Sequence, residues 1–214
     1  MTPLNLLVQG LLPIAALRTP YHLFAMQSSI QTDRQVLRKQ LLEKRSHLSA
    51  EKQLQASHDL VPIALDIIEK QQAEHIAVYL PFKHEISPLV LVEELRKQGK
   101  KCYLPIIHPF SKNNLLFSRF KANTPLEKHP WGLLQPKLDV RNVIPTSQIE
   151  MIFTPLVGCD KQLGRLGYGG GFYDRTFEQN PKAIRVGLAH TCQCVEKLPL
   201  EPWDKPLHHL IIAK

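Results

Sequence analysis

Two β-rich runs separated by one helix's length of chain constrain this fold more than any other feature. His75–Pro81 (HIAVYLP) and Lys101–Ile107 (KCYLPII) flank a segment opened by Ser87-Pro88, a cap followed by proline, and closed by Gly99. Strands joined in this way run parallel, because the helix must cross one sheet face to return the chain to the same end. Leu115–Phe120, Ile149–Val157 and Ala183–Ala189 are further strand candidates, and Gly171–Gln179 reads as another helix.

Ahead of this unit, Leu37, Leu41, Leu42 and Leu48 recur at helical spacing from Thr32 or Asp33 onward, among Arg34, Arg38, Lys39, Lys44 and Arg45. The pattern is an amphipathic helix with a basic face. Ser49 caps a second helix through Leu54, Leu60, Ile63, Ala64 and Ile67, with a kink or restart expected at Pro62. Residues 123–145, with prolines at 125, 130, 136 and 145, read as a long irregular excursion of the kind that often carries function. The expected fold class is α/β: a single three-layer, Rossmann-like domain with a mostly parallel central sheet and helices on both faces.

A chain of 214 residues with 43% apolar and 21% charged residues can bury a core without staples, which excludes collagenous, mucin-like and coiled-coil readings. Four cysteines are too few and too unevenly placed for a disulfide scaffold, so the expected setting is the cytoplasm. The apolar stretch Leu4–Leu17 is interrupted by Asn5, Gln9, Gly10 and Pro13, too broken to span a bilayer, and its only nearby charge, Arg18, follows it. Residues 1–30 are therefore expected to be a loosely ordered extension, with Met26 a candidate start, and residues 31–214 the domain. The formal charge of +8 suits anionic partners.

The chemistry concentrates after the strand Ile149–Val157. Five glycines fall between Gly164 and Gly171, in Gly164-Arg-Leu-Gly-Tyr-Gly-Gly-Gly171-Phe-Tyr-Asp174-Arg175. Glycine lets backbone amides converge on an anion, and the next helix adds the partial positive charge of its N-terminus. The run matches neither a Walker A loop nor a dinucleotide fingerprint, and glycine count alone favours a mobile connector. Arg165 and Arg175, suited to phosphate oxygens, and Asp174, a carboxylate of the kind magnesium accepts, together describe a magnesium–nucleotide site.

Arg165–Asp174 (RLGYGGGFYD) resembles the signature of the 5-formyltetrahydrofolate cyclo-ligase (methenyltetrahydrofolate synthetase) family. The resemblance extends over most of residues 31–214, through the basic helix with Arg34-Gln-Val-Leu-Arg38, Leu80-Pro-Phe-Lys-His-Glu85-Ile, Lys101–Pro109, and Glu196-Lys-Leu-Pro with Trp203-Asp204. It implies conversion of 5-formyltetrahydrofolate to 5,10-methenyltetrahydrofolate with ATP and magnesium, through phosphorylation of the formyl oxygen and release of ADP and phosphate. It further implies that Arg34, Arg38 and the loop Arg165, Leu166, Gly167, Tyr168, Gly169, Gly170, Gly171, Phe172 and Tyr173 bind ATP. Arg165 and Tyr173 would be catalytic. Leu80 and Glu85, with Tyr168, Gly169, Gly170, Gly171 and Phe172, would bind the folate, and Asp174 and Asp204 would bind magnesium. Arg34 stands where the family often has lysine, and His208 where relatives commonly carry another aspartate. A monomer acting on small molecules, without nucleic acid or membrane, is expected.

Taken singly, these residues have plainer readings. Arg34 and Arg38 fit a solvated helix face, Glu85 an exposed turn acid, Leu80 strand core, and Asp204 a turn between Pro202 and Pro206. Trp131 could stack on a flat ring but fits a buried core residue better, and His190, Cys192 and Cys194 lack zinc-site spacing. A family relative with an altered substrate, or a basic nucleotide- or nucleic-acid-binding protein without folate turnover, are the alternatives; 7% aromatic residues and no recognition motif give the last little support.

Overall fold

The computed structural model describes the backbone of residues 20–213, with side chains from residue 30. The elements in order are α1 (Pro20–Ser46), α2 (Ala50–Lys70), β1 (His75–Ala77), α3 (Leu89–Lys97), β2 (Lys101–Ile107), β3 (Leu115–Arg119), β4 (Leu126–Lys128), β5 (Leu134–Pro136), β6 (Val143–Ile144), β7 (Met151–Thr154), β8 (Gly158–Asp160), β9 (Arg165–Leu166), α4 (Phe172–Gln179), β10 (Ile184–His190), β11 (Cys194–Val195) and β12 (His209–Ala213). Seven strands form the main sheet in the order β12-β10-β7-β1-β2-β3-β6. The first five run parallel, and β3 and β6 join antiparallel at one edge.

The parallel β1–β2 pair, with Ile76 opposite Cys102, is the expected βαβ unit. Alternate strand residues divide between the two faces. Ile76, Cys102, Leu104, Met151 and Phe153 pack with Leu60 and Ile68 of α2 and Leu91 and Leu95 of α3. On the other face Ala77, Tyr103, Phe117 and Ile152 pack with Phe177 of α4. The result is three layers, as expected.

Three local expectations change. Helix α1 begins at Pro20, not at Thr32 or Asp33, since proline suits a first helical turn and no glycine or proline interrupts residues 21–46. Helix α1 thus takes in residues 20–30 of the extension; residues 1–19 lie outside the described ones. Helix α2 runs through Pro62 without restarting, because Leu60, Ala64 and Ile68 are held in the core on either side, and Ser49 caps it by accepting from the Lys52 amide at 3.2 Å. The excursion at 123–145 contains a β4–β5 hairpin and β6.

Candidate active site

A cavity of about 750 Å³ opens beyond the C-terminal ends of β1, β2 and β7, where open α/β sheets bind ligands. The expected site residues on its walls come from four separated stretches of chain: α1 (Arg34, Arg38), the turn after β1 (Leu80, Glu85), the glycine loop into α4 (Arg165, Gly167 to Asp174), and the C-terminal segment (Asp204); β2, β3 and the β4–β5 hairpin complete the lining. All the expected site residues border it except Leu166, which is buried on β9 and pairs with Gly158 of β8, so that it anchors the loop from beneath.

The glycine loop is held at its base by a buried carboxylate. Asp160 accepts from the amides of Gln162 (3.0 Å), Gly164 (2.9 Å) and Leu198 (3.0 Å). A Cβ at Gly164 would stand 2.9 Å from both Asp160 carboxylate oxygens and from Leu200 Cδ1. Gly164→Ala should therefore destabilise the protein by about 1–3 kcal/mol, read as a lower urea midpoint with unchanged slope. Further along, Gly169 has φ of +102° with the Arg38 guanidinium 3.5 Å from its would-be Cβ, and Arg38 Nε donates to Gly167 O at 2.8 Å. Arg175 pins the other side, donating to Gly170 O and, at 2.9 Å, to Asn113 O.

Helix α1 turns a polar stripe inward. Arg34, Leu41 and Arg45 are buried and Arg38 is half-buried, so the basic face is partly interior and not simply solvated. Arg34 grips Asp204 with both terminal nitrogens, at 2.5 and 3.1 Å, and donates to Pro199 O at 3.2 Å. Burial, followed by the neighbouring Arg34 charge, lowers the Arg38 pKa.

Glu85 is buried, not an exposed turn acid. Its carboxylate accepts from the Phe82 amide at 3.0 Å, closing a turn in which Lys83 (φ +47°) and His84 (φ +62°) are left-handed. Burial pushes its pKa up to about 7, against the opposing pull of Arg45 and the Phe82 amide. Tyr173, half-buried, has a hydroxyl raised well above the ordinary tyrosine value by desolvation and then by Glu85.

Arg165 is buried over the rings of Tyr173 and Phe177, each 5.7 Å from its guanidinium carbon, and donates to Asp174 Oδ1 at 2.7 Å. The Lys205 amide, next to Asp204, reaches the same oxygen at 3.4 Å, bringing the two carboxylate segments to one corner. Both contacts fall on Oδ1, whereas Asp204 uses both oxygens toward Arg34. Among the described residues no group of three His, Cys, Asp or Glu side chains is arranged to hold a metal. Two carboxylates beside a phosphate-sized cradle nevertheless suit magnesium, which binds through one or two carboxylates plus substrate phosphates and water.

Other sequence candidates resolve differently. Trp131, from the β4–β5 hairpin, is 59% exposed at the cavity rim, with its ring 5.9 Å from Phe172, so it is not core. His208 lies outside the cavity lining and holds Arg185, its Nε2 2.7 Å from Nη2, so its departure from the family pattern leaves the site walls intact. Cys194 Sγ lies 3.5 Å from Cys159 Sγ, and all four cysteines are free. Arg45, in the sequence only one member of the basic face, does not line the cavity but is buried behind it and donates to Lys83 O and the Tyr168 hydroxyl. The spacing 34-38-41-45 already placed it on one helix stripe with Arg34, Arg38 and buried Leu41.

The family model for the 5-formyltetrahydrofolate cyclo-ligase family matches residues 30–213. A 5-formyltetrahydrofolate cyclo-ligase of Haemophilus influenzae is 46% identical over 182 residues, covering 84% of this chain and 97% of that protein. The enzyme of the same name from Escherichia coli K12 is 48% identical over 137 residues, covering 63% and 75%. The solution structure of Aquifex aeolicus 5,10-methenyltetrahydrofolate synthetase is similar at 28% identity with a TM-score of 0.72, covering 84% of this chain and 89% of that one. A Mycoplasma pneumoniae 5,10-methenyltetrahydrofolate synthetase, also 28% identical, gives a TM-score of 0.64 over 84% and 98%. With a cavity that gathers the signature loop, the basic helix and the Glu85 turn, and a family match along nearly the whole described chain, the protein belongs to the 5-formyltetrahydrofolate cyclo-ligase family.

Proposed function

We propose that this chain closes 5-formyltetrahydrofolate to 5,10-methenyltetrahydrofolate at the expense of ATP, with magnesium, and that the cavity above is where it does so. Cyclo-ligase activity follows from the family; the assignment of residues is our reading. The observation that carries it is the convergence of phosphate-binding and folate-facing groups from four stretches of chain on one cavity.

The formyl oxygen is a poor leaving group until it carries a phosphoryl group. Once it does, the second folate nitrogen attacks the formyl carbon, the C–O bond breaks, and phosphate departs. Such transfer depends on positioning and charge neutralisation. Arg38 and the amides of residues 167–171 cradle the triphosphate, and Arg34 orders Asp204 beside it. Arg165, fixed by Asp174 and two aromatic rings, supplies positive charge where it develops on the transferred group, and Tyr173 closes the floor. Asp174 and Asp204 would hold magnesium, whose charge would neutralise phosphate oxygens. Leu80 and Phe172 offer apolar surface to the pterin, and Glu85 accepts from its amino and ring N–H donors.

Folate-dependent phosphate release, together with the rise of the methenyl product's near-ultraviolet absorbance, tests the reading. No product from fresh substrate with ATP and magnesium would overturn it. Arg38→Ala should raise the ATP KM by about tenfold, with the folate KM changed much less, because a charge-assisted phosphate contact is worth roughly 1.5–3 kcal/mol. Steady-state kinetics with each substrate varied in turn checks this. Four free cysteines agree with a cytoplasmic setting, and no helix among the described residues is long and apolar enough to cross a membrane.

A further inference from the structure

We infer that Arg45 is a positioning residue for this reaction: its guanidinium locks the Glu85 turn to the glycine loop and supplies the positive field under which Glu85 acts as a carboxylate. The inference rests on the reading of Glu85 as the folate-facing acid.

Arg45 is an arginine with no exposed surface, and burying such a charge is costly unless its donors are satisfied. It makes no ion pair within salt-bridge distance among the described residues; its two terminal nitrogens donate to neutral oxygens instead, while Nε is buried without a hydrogen-bond partner. Nη1 donates to Leu156 O at 3.0 Å, just past β7. Nη2 donates to Lys83 O at 2.8 Å, in the Glu85 turn, and to the Tyr168 hydroxyl at 2.6 Å, in the glycine loop. One nitrogen thus joins two walls of the cavity, and the other ties both to the end of β7.

The turn needs such a tie. Lys83 and His84 are consecutive non-glycine residues with positive φ, a conformation that persists only where surrounding contacts enforce it. The Lys83 carbonyl lies between them and is the group Arg45 captures. On the loop side, the Tyr168 ring sits 5.9 Å from the Arg45 guanidinium carbon and 6.2 Å from the Phe82 ring. A lysine would keep the charge at this site but could not reproduce the planar fork that serves three acceptors.

The charges around Glu85 leave Arg45 as the cation that acts on it. Tyr79 from beyond β1 is buried, Tyr173 from α4 half-buried and Tyr168 from the loop exposed along the cavity, and desolvation raises each hydroxyl, keeping all three neutral. Lys83 and His84, in the turn itself, are exposed, and His190, packed toward Arg45, is held neutral as burial lowers its pKa to about 4. Removing Arg45 therefore makes ionisation of Glu85 harder.

The test uses the full chain carrying Arg45→Met, Arg45→Lys or Glu85→Gln, with kcat/KM for 5-formyltetrahydrofolate followed from about pH 5.5 to 9 at saturating ATP. Circular dichroism and the urea midpoint serve as controls for folding. Arg45→Met is expected to move the midpoint of the acidic limb upward by about one pH unit, so that kcat/KM falls about fivefold near neutrality, about tenfold on the acid side, and recovers at high pH. Arg45→Lys should hold that midpoint near the parent value while still raising the folate KM several-fold. A folded Arg45→Met with an unmoved midpoint overturns the proposal. If that variant does not fold, an Arg45→Lys enzyme with parental folate KM overturns it instead. A Glu85→Gln enzyme with unchanged folate KM and acidic limb removes the underlying reading of Glu85, an outcome distinct from failure at Arg45 alone.

Discussion

Asp174→Asn is expected to lower kcat by at least about 10²–10³-fold while the protein stays folded. The carboxylate has two tasks that the amide separates. Toward Arg165 it accepts a hydrogen bond at 2.7 Å, and asparagine's carbonyl can take that bond over. In the proposed role it would offer magnesium a full negative charge, which asparagine lacks. Asp174→Ala should lose activity equally and stability as well, by about 1–3 kcal/mol, because Arg165, only 4% exposed at its side chain, is then left beside an empty acceptor position. Phosphate release and methenyl absorbance measure the first effect and urea denaturation the second. Turnover by Asp174→Asn within about threefold of the parent would show that the carboxylate serves the fold and not the reaction.

Glu85→Gln should trade activity for stability in a pH-dependent way. The folded carboxyl, raised to about 7 by burial, holds its proton where an unfolded glutamate has released it. Between about pH 4.5 and 7 the native state therefore binds more protons than the unfolded state, so this group's contribution to stability declines as pH rises through that window. Above pH 7 the carboxylate costs the fold on the order of 3 kcal/mol. Glutamine keeps an acceptor for the Phe82 amide without that cost. Melting temperature should rise by roughly 5 °C at pH 8 and remain unchanged near pH 4. The folate KM at pH 8 should rise by about 10–100-fold, as the pterin donors lose a charged acceptor. A variant that gains no stability at pH 8 would place Glu85 in a wetter environment than its 6% exposure indicates.

Much of this molecule could be read before folding was considered. The βαβ unit announced itself through Ser87-Pro88 and Gly99 between two β-rich runs, since capping and termination are local events. The glycine run with Arg165, Arg175 and Asp174 was equally visible, because a backbone that must approach an anion needs glycine whatever surrounds it. Short-range rules also misled. They started α1 too late, left open a restart at Pro62 where α2 runs on, and missed the β4–β5 hairpin, because those outcomes turn on what packs nearby and not on the residue itself.

Sequence by itself determined the α/β class, the parallel order of β1 and β2, and the residue types available for phosphate, metal and folate. Only the tertiary structure decided their partnerships. It placed Asp204 in the grip of Arg34 and Asp174 beside Arg165, buried Glu85 until its carboxyl moved toward neutrality, and turned Arg45 from a presumed surface charge into the joint between two cavity walls. The reason is physical: a helix period shows which residues share a stripe, but desolvation and hydrogen-bond geometry depend on atoms far apart in sequence, which become neighbours only when the sheet and its helices close around them.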